Sequence, residues 1–150
     1  MQIDVRIATR ENFPPIRLAG LIWEGSYAQA AAGAIGEVMN ELRRRLALAP
    51  NARIIGVSWT GRPGGFRHFC GVEVGSRDVA ADDLARIEIP SLICLSMPHR
   101  GGDATDAYAF LMAERDRLGL LACDDPSMID ELLEDGSMRL WLPVSAGCPK

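Results

Sequence analysis

Apolar positions recur along most of the chain with a period of two, and with a helical period in two stretches. "QIDVRIA" sets Ile3, Val5 and Ile7 against Asp4 and Arg6, the pattern of a half-buried strand. After the prolines of "ENFPP", "IRLAGLIW" predicts a second strand, and Gly25 with Ser26 supply a turn and a helix N-cap. From Tyr27 to about Leu48, the residues Ala31, Ala34, Ile35, Val38, Met39, Leu42 and Leu46 fall at helical spacing, and Pro50 ends the pattern. "ARIIGVSWT" and "FRHFCGVEV" then predict two strands joined through "GRPGG".

The polar "GSRDVAADD" reads as a loop, after which the order starts again. "LARIEI" and "SLICLSM" flank Pro90 as strands, "HRGGDATDAYAFLMAERDRLGL" gives a turn and a helix, and "SMIDELLEDG" gives a short irregular strand or helical turn. "SMRLWLPV" closes the series as a strand. Two β-β-α-β-β halves, about 1–75 and 84–148, are therefore expected within one domain, with "LIWEG" and "SMPHRG" in corresponding places before the helices.

Alternation along the last strand puts Met138, Leu140, Leu142 and Val144 on one face and Arg139 and Trp141 on the other. Cys70, Val72 and Val74 divide from Phe69, Gly71 and Glu73 in the same way. If helices cover the apolar faces, the second faces of the two halves turn toward each other.

Composition narrows the function classes. With 150 residues, 48% hydrophobic and 24% charged, the chain is an ordinary globular domain that needs no disulfide or metal to fold. A net charge of -4 offers no field for nucleic acid, and the Arg43–Arg45 cluster sits late in a helix, where it complements the helix dipole. No apolar run reaches the ~18 residues of a membrane span, and the charged start lacks a secretory signal, so a cytoplasmic location is expected. Cys70, Cys94, Cys123 and Cys148 form no C-x-x-C pair, and His68 and His99 stand alone, so free thiols, structural or surface histidines, no metal and no cofactor are expected. "GRPGG" joins strands and opens no helix, which leaves no phosphate cradle.

The element order, "WEGSY" before the first helix, "HRG" before the second, "CDDPSM" and the terminal "RLWLPV" together resemble GyrI-like effector-binding domains, the ligand-sensing domains of multidrug-responsive bacterial transcription activators. The resemblance implies an α+β fold: a duplicated β-α-β-β module with pseudo-twofold symmetry, two antiparallel sheets or halves backed by two long helices, and a central aromatic-lined cleft. It also implies that the cleft accepts bulky, flat, often cationic molecules near an acidic residue, and that some relatives hydrolyse cyclopropane-containing electrophiles with a tyrosine and a glutamate. At the place of that acidic residue this chain has Arg139, which repels cations and cannot act as a base. The expectation moves accordingly toward a neutral or anionic ligand.

Within that frame Trp23, Tyr27, Trp59, Phe69, Gly71, Arg139 and Trp141 are the candidate ligand-binding residues. Phe69 should face Arg139 across the cleft floor, and Gly71 should leave room opposite Trp141. Tyr27 either packs on a neighbouring strand from the start of the helix or serves as a hydrogen-bond donor or general acid, with Glu24 or Glu73 as the candidate partners. Arg139 could equally pair with Glu73 or Glu24, or stand solvated on its strand. The expected function is a free-standing protein that senses or sequesters a small aromatic or hydrophobic compound, without direct contact to nucleic acid or membrane. The alternatives are a small hydrolase, or a gyrase-inhibitor-like protein with a protein partner or a homodimer.

Overall fold

The computed structural model describes residues 7–49, 52–74, 84–100, 104–123 and 125–145. Nine strands and three helices follow one another as β1 (Thr9–Phe13), β2 (Ile16–Gly25), α1 (Tyr27–Ala31), α2 (Ala34–Leu46), β3 (Ile54–Arg62), β4 (Gly65–Glu73), β5 (Ala85–Ile89), β6 (Leu92–His99), α3 (Thr105–Arg117), β7 (Leu121–Ala122), β8 (Met128–Leu132) and β9 (Met138–Ser145). The first strand lies later than the alternation of "QIDVRIA" predicts: residues 1–6 fall outside the described part, and Ile7 and Ala8 precede β1. "SMIDELLEDG" resolves into the strand β8.

All pairings are antiparallel, and they join the strands into one curled sheet in the order β1-β6-β9-β8-β3-β4-β2-β5, with β7 added at β9. Read inward from either end, the order is the same in kind: an edge strand (β1 or β5), then the strand before a helix (β6 or β2), then β9 or β4, then a strand that follows the helix (β8 or β3). The expected two sheets are thus one continuous sheet, because β3 and β8 pair at its centre from Ile54↔Leu132 to Ser58↔Met128.

The expected helix over residues 27–48 is broken. Ser26 caps α1 by a reciprocal box in which Ser26 Oγ accepts from the Gln29 backbone N–H and Gln29 Oε1 accepts from that of Ser26. The break falls at Ala32 and Gly33, and Gly33 takes a φ of 104°, a conformation that suits glycine. Arg43, Arg44 and Arg45 occupy the last turn of α2, as the dipole argument requires, and Arg44 and Arg45 both reach Glu41.

Three cores follow from the alternation. Leu42 of α2 packs with Ala19, Ile54 and Cys70, and Ala107, Tyr108 and Leu111 of α3 pack with Leu95, Met97, Leu140, Leu142 and Val144. The residues between them in sequence turn to the other face, where Phe13, Ile16, Leu18, Ile55, Val57, Phe69, Ile89, Cys94, Ile129 and Trp141 form a third cluster inside the curl. Burying each large apolar side chain of this kind contributes about 1.5–3 kcal/mol, so the curl is held from its inner face as firmly as from its helices. Among the described residues no helix is long and apolar enough to cross a membrane.

Candidate functional site

The helices leave the middle of the sheet open. α2 packs chiefly on β2 and β4, and α3 on β6 and β9, so the central pair β3–β8 forms the floor of a groove between them. A cavity of about 370 Å³ occupies this groove. Its walls are Tyr27 and Ile35 from α1 and α2, Phe66 from β4, Met112 from α3 and Met128 from β8, and its floor carries Ser58, Thr60, His68 and Asp130. Tyr27 stacks on Phe66 with ring centroids 5.0 Å apart, and Trp23 meets Phe66 edge-on at 5.3 Å, so one wall is aromatic and two residues deep.

The floor is polar where the rest of the helix-facing surface is apolar. Ser58 and His68, both buried, face each other across the β3–β4 pair, with Ser58 Oγ 2.9 Å from His68 Nδ1. Burial pushes the His68 imidazole down to about 4, which keeps it neutral at ordinary pH. Asp130 sits two strands away beside the same glycine: a Cβ on Gly56 would stand 2.9 Å from His68 Cε1, 3.1 Å from Nε2 and 3.6 Å from Asp130 Oδ2. The absence of that Cβ lets the His68 ring lie against the strand, while the Asp130 carboxyl stands at ordinary contact distance.

Asp130 Oδ1 hydrogen-bonds to the Tyr108 hydroxyl, which also lies 2.8 Å from the carbonyl oxygen of Ile129. Asp130 keeps a partly exposed edge toward the cavity, yet protein atoms surround it closely enough that burial raises its carboxyl above the usual carboxylate range. The same burial carries the Tyr108 phenol well above its ordinary value, with Asp130 adding to the effect.

The residues singled out from the sequence divide between the two faces of the sheet. Tyr27 lines the cavity, and Trp23 packs edge-on against the lining residue Phe66 without lining the cavity itself. Phe69, Gly71, Arg139 and Trp141 lie on the opposite face, within or beside the inner core. Trp141 is 8% exposed, meets Phe13 edge-on at 5.1 Å and donates its indole N–H to Glu131 Oε1 at 3.1 Å. Trp59 packs against the same core and donates to Asp125 Oδ1 at 2.8 Å.

Arg139 is paired with Glu11, whose Oε2 lies 2.5 Å from Arg139 Nη2, and donates to Ser96 Oγ at 2.8 Å. Its guanidinium centre lies 5.4 Å from the Trp141 ring. The Ser96 hydroxyl and then Arg139 hold the Glu11 carboxyl below its usual range. The partner is therefore neither Glu73 nor Glu24. Glu73 takes Arg53 at 3.2 Å, and Glu24 takes Arg67 at 2.8 Å. Both glutamates belong to the face away from the cavity, so neither stands with Tyr27 as the partner of a general acid.

Two expectations about facing residues are corrected by the register. Phe69 shares a row with Val57, Ile129 and Trp141, while Gly71 shares one with Ile55, Glu131 and Arg139, so Phe69 does not face Arg139. The space over Gly71 is filled by its neighbour: a Cβ there would stand 2.5 Å from Phe69 Cε1.

Ser58, Thr60, Phe66, His68, Met112, Met128 and Asp130 were not singled out as ligand residues by the sequence. For Ser58 and His68 the signal is a polar residue in the apolar phase of a strand: Ser58 follows Ile54 and Gly56, and His68 precedes Cys70, in the set that faces the helices. The Cys70 and Cys94 thiols are pushed up to about 12, chiefly by burial. Among the described residues no three His, Cys, Asp or Glu side chains gather as a metal site.

The sequence matches the GyrI-like small molecule binding domain over residues 9–143. The chain belongs to the GyrI-like family. Solved structures share the fold at low identity. SAV2435 bound to tetraphenylphosphonium superposes with a TM-score of 0.65 at 15% identity, covering 93% of this chain and 94% of that one. The C-terminal domain of EcmrR gives 0.67 at 13% identity, covering 95% and 99%. A hydrolase from Listeria innocua gives 0.57 at 14% identity, covering 93% and 92%. No curated protein sequence matches the chain.

Proposed function

We propose that this GyrI-like domain binds a small aromatic compound in the cavity between α1–α2 and α3. The observation that carries the reading is the cavity itself. Its volume of about 370 Å³ falls in the range of small-molecule sites, and apolar and aromatic walls stand over a few convergent polar groups. Tyr27 and Phe66 offer a flat face for stacking, and Met112 and Met128 offer pliable surface that adapts to ligand shape. SAV2435 was solved with tetraphenylphosphonium, a bulky aromatic molecule, which supports a ligand of that bulk.

The scaffold is read as a duplicated module, with halves about 1–75 and 84–148 in one domain. The mirrored strand order supports this reading, as does the exchange in which β1 pairs with β6 and β5 with β2. The domain acts by sensing or sequestering its ligand. A hydrolytic role through Tyr27 has less support, because Tyr27 is exposed at the rim and Glu24 and Glu73 are on the other face.

Displacement of an environment-sensitive dye by aromatic compounds tests the reading, with Met112→Arg as the blocked control. Binding by the parent chain that Met112→Arg abolishes without loss of fold is expected. Equal binding by both chains would place the ligand elsewhere.

A further inference from the structure

The sheet ends at β1 on one side and at β5 on the other, and among the described strands β5 pairs with β2 alone. Which backbone groups of β5 face outward follows from the register. The Val74 N–H donates to the Arg17 carbonyl at 2.8 Å, so Arg17 directs its backbone groups toward β4. Direction alternates along a strand, and Leu18 therefore turns its own toward β5, where it meets Ile87. Ile87 accordingly points its N–H and C=O into the sheet, and Arg86 and Glu88 point theirs out of the open edge. The close approach of Gly20 to Gly71, where a Cβ on Gly20 would stand 2.5 Å from Gly71 Cα, agrees with the same phase.

The side chains at those outward residues carry opposite charge. Arg86 and Glu88 are both exposed and lie on the face away from the inner core, since Ala85, Ile87 and Ile89 take the inner one. Charge on an edge strand ordinarily keeps it from pairing. A copy of β5 laid antiparallel about a twofold axis through Ile87 removes that obstacle: Arg86 of each copy stands opposite Glu88 of the other, with the backbone groups of both residues in position to bond. An axis at Arg86 would set that arginine against its own copy, and an axis at Glu88 would do the same to the glutamate, so one register is selected. Pro90 is the next outward position and, having no N–H, bounds the pairing at that end. On the inner face the axis brings the half-buried Ile87 onto its copy. Arg17 Nε, 3.4 Å from Glu88, extends the outer row to arginine, glutamate and arginine across the junction. The β1 edge offers no such match: Arg10 and Glu11 are neighbours and so lie on opposite faces, and Glu11 is held by Arg139 on the inner one.

We propose that the β5 edge is a homodimer interface, in which two copies of this chain pair antiparallel about Ile87 and continue the sheet from one molecule into the other. The occupant is a second copy because the charge pattern of the edge is complementary to itself. The strand is short, so the dimer is weak and dissociates on dilution. The cavity lies over β3 and β8 at the centre of the sheet, and the pairing does not depend on what the cavity binds.

Sedimentation equilibrium of the full chain, at concentrations up to about 1 mM where weak contacts register, tests the interface. A monomer–dimer equilibrium that weakens as salt rises is expected. Arg86→Glu and Glu88→Arg should each weaken the dimer by at least about tenfold, because every facing pair then carries like charge. Mixing the two variants should restore it as a heterodimer, since each offers the charge that the other lacks, and that recovery shows both variants to be folded. A parent chain that stays monomeric, a dimer indifferent to either substitution, or a mixture that associates no more tightly than its parts overturns the proposal.

Discussion

Trp141 donates its indole N–H to Glu131 Oε1 at 3.1 Å across the β8–β9 pair, and Glu131 in turn holds Arg53 at 2.8 Å. The tryptophan is therefore satisfied within the inner core, with Phe13 against its ring. Glu131→Ala strips the buried N–H of its acceptor and leaves Arg53 with Glu73 alone. Such a group left unpaired costs about 1–3 kcal/mol, which for a domain of this size lowers Tm by roughly 3–10 °C. A thermal melt measures this, and ligand affinity should not change with it.

Much of the strand pattern was legible, and the side of the sheet that matters was not. Alternation assigned Leu140, Leu142 and Val144 to the helix, and α3 packs on them. The same alternation put Arg139 and Trp141 together on the other face, where they lie. What alternation cannot convey is that β1 pairs with the distant β6 and β5 with β2, with Phe13 brought onto Trp141. The break at Gly33 escaped for a similar reason, since apolar spacing runs straight through "AAGAIG" and only the backbone φ of 104° ends α1 there. The polar floor was present in the letters as Ser58, His68 and Asp130, each in an apolar phase, but three strands had to be set side by side before they became one site.

Fluorescence should separate the tryptophans by face. Trp23 lies behind Phe66 on the cavity wall, whereas Trp141 and Trp59 belong to the opposite face. Quenching by an aromatic ligand should vanish in Trp23→Phe and survive in Trp141→Phe. The reverse pattern would move the ligand to the inner face.

Acid should destabilise the fold through His68. The folded imidazole stays neutral to about 4, while in the unfolded chain it takes up its proton near 6.5. Its contribution is whole above 6.5 and is lost as the pH falls from there toward 4, reaching about 3 kcal/mol for a shift of this size. Urea unfolding at pH 7.5, 6 and 5 should show the slope, and His68→Gln should flatten it.

Asp130 has the opposite sign. Its carboxyl is raised in the fold, so its contribution is present at low pH and is lost as the pH rises through the folded value. Across the same urea series the Asp130 contribution should fall as the pH rises from the acid end, against the sign of His68, and Asp130→Asn should remove that decline. An unchanged decline in the variant would assign it to another group.

The claim that the groove between the helices is the binding site is tested most directly by methyl NMR of the full chain titrated with para-phenylphenol. The account predicts shifts of the Ile35, Met112 and Met128 methyls, which line the cavity, with Ile16, Leu18 and Val57 on the inner face unmoved. Shifts confined to the inner-face methyls, or no shifts at all, would contradict it.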